Sequence, residues 1–223
     1  MKIISDIISA IRANMKCIWL KVFQPKLLHY NPFFRIQSNV EIRLLGGGNC
    51  LNANYMFRLL CGSESATIFR YLKTLRYCEY HSNNSGLWHR LCSLYYHLKL
   101  NKLGLKYNLS IPINVCGYGL TIYHLSGGGG VLVNAKKIGN YCKLQTGVLL
   151  GNKNHSEDEK PTVGDNVGLG PGVKVLGKVT IGDNCFIAAN AVVVKDMPGN
   201  SIIAGVPAKV IKKLLNNEVI KSP

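Results

Sequence analysis

The stretch VGDNVGLGPGVKVLGKVTIGDNCFIAANAVVV, residues 163–194, decides the fold, because it counts in sixes. An aliphatic residue recurs at Val163, Leu169, Val175, Ile181, Ile187 and Val193, often followed by Gly. Across a short break the same frame runs back through Leu150, Leu144 and Ile138. A repeat this short is neither a helix pair nor a propeller blade; it fits a β-solenoid in which each six-residue unit forms one flat side of a coil. The aliphatic residue points inward and stacks on its equivalents. The nearby Gly or Asn permits the corner, where positive φ is often required. The spacing therefore predicts a mainly β chain: a parallel β-helix of hexapeptide repeats, preceded by a small α-helical region.

Working outward, residues 108–210 form the solenoid, interrupted by the polar insert NKNHSEDEKPT (152–162), which a coil tolerates only at a corner. Residues 211–223 read as a tail with a final helical turn. Residues 63–107 carry two amphipathic helices, SESATIFRYLKTLRYCEYH and GLWHRLCSLYYHLKLNKLGLK, with Ser63 or Ser65 as a cap and Gly86 marking the break. Their aromatic residues, among them Phe69, Tyr71, Tyr77, Trp88, Tyr95 and Tyr96, read as helix-packing residues. In residues 1–62, Ile3, Ile4, Ile7, Ile8 and Ile11 fall at helical spacing between basic residues. This amphipathic helix packs on protein or lies on an anionic membrane surface; a strand-like segment follows.

Hydrophobic residues make up 47% of the 223, enough for a packed core. The net charge of +16 (27 Lys and Arg against 11 Asp and Glu) favours anionic partners, but the basic residues are scattered and accompany no nucleic-acid motif. The eight cysteines form no CxxC pair, so no metal site is expected. With no cleavable signal and no apolar run long enough to span a bilayer, the expected compartment is cytoplasmic, with peripheral contact at the inner membrane face as an extension.

Solenoid walls are chemically plain, so function is expected at corners, loops and grooves. His124, in GLTIYHLSGGGG, stands out: four glycines beyond it leave room for a ligand, and an imidazole with a pKa of about 6.5 can take a proton from an attacking alcohol. A structural His in a strand is the plainer alternative. From about Arg76 to Lys212 the chain resembles the serine acetyltransferase branch of the hexapeptide acyltransferases, and members associated with surface-polysaccharide synthesis. LRYCEYHSNNSGLWHRL, IPINVCGYGLTIYH, VNAKKIGNYCKLQTGVLLGN and the closing AGVPAK (204–209) carry the likeness. The resemblance implies a left-handed parallel β-helix, a homotrimer, acetyl-CoA as acetyl donor, and His124 as general base for direct attack on the thioester. It implies that Gly151, Gly170, Pro171 and Ala189 line the pantetheine and thioester path, with Lys209 near the nucleotide phosphates.

The departures bear on the acceptor. The resemblance implies an Asp upstream that orients the His, and here YNLSIP offers Asn108, Leu109 and Ser110; Tyr123 stands where a second Asp is expected. An Arg-His pair before the loop proline would hold an amino-acid carboxylate, and here Glu159 and Lys160 precede Pro161. Tyr123, His155 and Lys160 are therefore the residues expected to contact the acceptor. The leading expectation is O-acetylation of a sugar or glycan-precursor hydroxyl; the alternatives are serine O-acetylation for cysteine synthesis and a non-catalytic trimeric scaffold.

Overall fold

The computed structural model describes residues 64–125, 129–153 and 156–214. The expected N-terminal amphipathic helix and strand-like segment, His155, and the end of the tail lie outside the described residues. The chain divides into two compact units, one ending at Leu100 and the other beginning at Asn101.

In the first unit, α1 (Glu64–Ser82) is followed after Gly86 by α2 (Leu87–Tyr107), which continues into the second unit. Gly86 takes a φ of +119°, which breaks the helix where the sequence predicts it. Phe69, Tyr71, Leu72 and Leu75 are buried along α1. So is the Arg76–Glu79 pair, whose guanidinium donates to both carboxylate oxygens at 3.1 and 2.9 Å. The Tyr77 and Tyr96 rings stack at 5.4 Å between the helices. Trp88 and Tyr95 depart from the packing role expected of them: they are 70% and 56% exposed.

The second unit is a coil with three faces. The first holds β2 (Thr121–Tyr123), β5 (Lys143–Gln145), β8 (Gly168–Leu169), β11 (Cys185–Ile187) and β13 (Ser201–Ala204), all parallel. The second holds β1 (Leu109–Ser110), β3 (Val131–Val133), β6 (Leu149–Gly151), β9 (Lys174–Leu176) and β12 (Val192–Val193). The third holds β4 (Lys137–Ile138), β7 (Thr162–Val163) and β10 (Thr180–Ile181). The chain passes from first to second to third face and back, coil upon coil.

Register puts the six-residue frame into three internal files. Leu144, Leu169 and Ile187 stack on the first face, Leu150, Val175 and Val193 on the second, and Ile138, Val163 and Ile181 on the third. Each is at most 1% exposed, and burial of a side chain this size is worth about 1.5–3 kcal/mol. A second inward position lies two residues before most of these: Cys142, Val148, Val167, Val173, Val179, Cys185 and Ala191 are also buried, whereas Lys136 before Ile138 is exposed.

The corner from third to first face is turned by Gly119 and Tyr141 in the first two coils and by Asn in the later ones. Asn166, Asn184 and Asn200 take φ of +54°, +55° and +53°, and their amides form a ladder, Asn166 donating to Asn184 at 3.0 Å and Asn184 to Asn200 at 3.1 Å. Asn tolerates this region and satisfies its neighbour at once. The insert 152–162 sits at the corner between β6 and β7, as its composition predicts, and contains one 3-10 turn, Glu157–Glu159. At the start of the tail, β14 (Lys209–Lys213) runs antiparallel to β13; the helical turn expected in 211–223 falls mostly outside the described residues. The free edge of the first face is thereby paired through Lys213.

Candidate functional site

His124 lies immediately after β2, at the corner from first to second face, and not within a strand. Its φ is +59° and its side chain is exposed. Tyr123↔Gln145 is the last paired position of β2 and β5. One step further, and following Leu144↔Leu169 and Leu169↔Ile187 across the next coils, His124 shares a file with Thr146, Pro171 and Ala189. From Thr146 onward backbone bonds keep that register: Gly172 N donates to Thr146 O at 2.9 Å, and Asn190 N donates to Pro171 O at 2.8 Å. Pro171 and Ala189, like His124, are exposed.

In the following coils the left-handed corner residue comes one place later in the register, at Gly147, Gly172 and Asn190. The chain therefore turns early at His124. It then takes residues 124–130 to reach β3, whereas β5 reaches β6 through 146–148 alone. This corner is several residues longer than the one above it and is rich in glycine. Its far end is tied down: Gly147 N donates to Gly129 O and Gly130 O at 2.9 and 2.8 Å, and the Thr146 hydroxyl donates to Gly129 O. Lys174 closes the same corner one coil on, its Nζ donating to Gly147 O at 3.1 Å and Gly172 O at 3.3 Å. Thr146 and Lys174 stand outside the six-residue frame, and only strand register reveals them.

Strand alternation turns Tyr123 outward beside buried Ile122. Its rung across the first face runs Tyr123, Gln145, Gly170, Ala188, Ala204 and Lys209. Three consecutive members are Gly or Ala, so the middle of the rung is a low strip. At Gly170 a Cβ would run into Ile187 O and Ala189 N of the next coil. Five strand steps of about 4.8 Å separate the ends, so exposed Lys209 stands roughly 24 Å from Tyr123. The Tyr123 and His124 ring centres are 6.4 Å apart.

His124, Tyr123, Gly170, Pro171, Ala189 and Lys209 thus belong to one face and its edge. Gly151 and Lys160 do not join them. Gly151 ends β6 at the corner between second and third faces, where its carbonyl accepts from Gly177 N at 2.9 Å, and Lys160 is in the insert that follows. In that insert Asn134 donates to Asn152 at 3.0 Å, and Asn152 in turn to Ser156 O at 3.0 Å. Glu159 Oε2 is buried with no hydrogen-bonding partner among the described residues.

Residues 160–195 match a protein-family model described as bacterial transferase hexapeptide (six repeats). The coil is a hexapeptide-repeat solenoid. A serine acetyltransferase of Synechococcus elongatus is 38% identical over 96 residues, covering 43% of this chain and 38% of that protein. One from Buchnera aphidicola is 29% identical over 161 residues, covering 68% of this chain and 56% of that protein. The chain thus spans 38% to 56% of the length of these two curated relatives. Among solved structures, a Brucella abortus serine acetyltransferase in complex with coenzyme A superposes with a TM-score of 0.59 at 22% identity, covering 86% of this chain and 72% of that one. At that identity the likeness is one of fold.

Proposed function

We propose that the hexapeptide-repeat chain transfers an acetyl group from acetyl-CoA to a hydroxyl, with His124 as general base. The observation that carries this is the file His124–Thr146–Pro171–Ala189 beside the low strip that leads to Lys209. The early, left-handed turn holds an exposed imidazole at one end of a shallow track; a cation stands at the other. A long thin donor with a thioester at one end and phosphates at the other suits such a track. The hydroxyl oxygen attacks the thioester carbonyl carbon while His124 takes its proton. The C–S bond then breaks, and the departing thiolate recovers a proton, leaving an acetyl ester and free thiol. Backbone N–H groups at the corner are the source of oxyanion stabilisation.

The names of the curated relatives make L-serine the first acceptor to consider. The second reading, a sugar or glycan-precursor hydroxyl, rests on particular residues. The segment before the coil offers Asn108, Leu109 and Ser110 in place of a carboxylate, and Glu159–Lys160 precedes Pro161, where an anion opposes an amino-acid carboxylate. Gly151 and the insert lie on a different corner from His124, so one chain does not present both to one thioester. A neighbouring copy around a three-fold axis would supply the second wall, which supports a trimer. Release of thiol from acetyl-CoA, compared across L-serine, sugars and nucleotide-sugars, tests the reading; no release with any hydroxyl acceptor, despite saturable acetyl-CoA binding, contradicts it.

A further inference from the structure

Helix α2 turns a stripe of large apolar side chains outward. Leu87, Trp88, Leu91, Leu94, Tyr95 and Leu98 are between 56% and 74% exposed, and Leu105 continues the line at 85%. At about 100° per residue these positions fall within an arc of roughly 120°. Lys99 and Lys106 project along one border of the arc, Arg90 beyond the other, and Lys102 within it. The helix contains no Asp or Glu. We propose that α2 lies in the interface of an anionic lipid surface, with the Leu87–Leu98 stripe in the headgroup–acyl boundary and the lysines among the headgroups.

Three features select this occupant. Two copies packed stripe to stripe would bring together positive charges alone, whereas an anionic leaflet neutralises them. Trp88 and Tyr95 pair an apolar body with a polar tip, the combination suited to the membrane–water boundary, and the lysine stems reach back to the headgroups. No described helix is long and apolar enough to cross a membrane, so α2 lies on the surface. This inference is independent of the proposed acetyl transfer.

The test is co-sedimentation of the full chain with phosphatidylcholine vesicles, with or without about 30% phosphatidylserine. Trp88 emission is read in parallel in a Trp19→Phe background, which leaves Trp88 as the reporter. Binding to anionic vesicles alone, with a blue shift of Trp88, is expected. Leu91→Asp with Leu98→Asp lowers the partition coefficient by at least about tenfold. Lys102→Gln and Lys106→Gln, which leave the apolar face intact, each lower it about fivefold. Four results overturn the proposal: no binding to anionic vesicles, equal binding to neutral ones, or binding unchanged in the leucine variant, which would place it elsewhere in the chain. The fourth is a solution assembly that the leucine variant dissociates while vesicle binding is nil, which would make the stripe a seam between copies.

Discussion

His124 illustrates how backbone conformation limits the choice of substitution. At a φ of +59°, Ala adds strain of about 1 kcal/mol, whereas Asn occupies this region readily. His124→Asn is therefore the cleaner probe: a fall in kcat/KM of about 10²- to 10⁴-fold, the usual weight of a general base, with thermal stability unchanged. The internal thiols make a second prediction. Burial pushes Cys142 from 9.0 up to about 12 and raises Cys185 as well. Their Sγ atoms lie 3.2 Å from Gly164 O and Pro198 O respectively. A thiol held neutral in the fold and ionised in the unfolded chain favours folding below its unfolded pKa. That contribution is lost as pH rises from about 9 towards 12, so urea midpoints decline over this window. Cys142→Ser, which removes the titration, flattens the decline.

The corner and the file are the elements that set the proposed site. Asn184 stands in the middle of the amide ladder, donating to Asn200 and accepting from Asn166. Asn184→Ala loses both bonds and meets strain in the left-handed region, for a cost of about 2–3 kcal/mol by denaturant unfolding. Asn184→Gly loses the bonds but not the conformation and costs about 1 kcal/mol less. The inward files from Ile138 to Val193 were legible because burial enforces an aliphatic residue at every sixth position. The second inward position was not: Cys142, Cys185 and Ala191 fill it as well as Val, so composition blurs the period. Strand register, which no local pattern encodes, aligns Tyr123 with Lys209 and His124 with Ala189. Ile211, Lys212 and Lys213 read as the start of a helical turn until the open edge of β13 pairs with them as a strand.

At the scale of the whole molecule, one chain divides the proposed site residues between two corners, with His124 on one and Gly151 with the insert on the other. The proposed trimer predicts that light scattering reports three chains per particle and that specific activity falls on dilution as copies separate. The charge of +16 suits a phosphorylated donor and an anionic surface. Acetyl transfer at His124 is tested directly by thiol release from acetyl-CoA. The assay compares L-serine with sugars and nucleotide-sugars, using the native protein and His124→Asn. Acceptor-dependent release that collapses in the variant, while acetyl-CoA still binds, is the expected result. Release unchanged in His124→Asn would contradict it, and no release with any acceptor would leave the coil a scaffold.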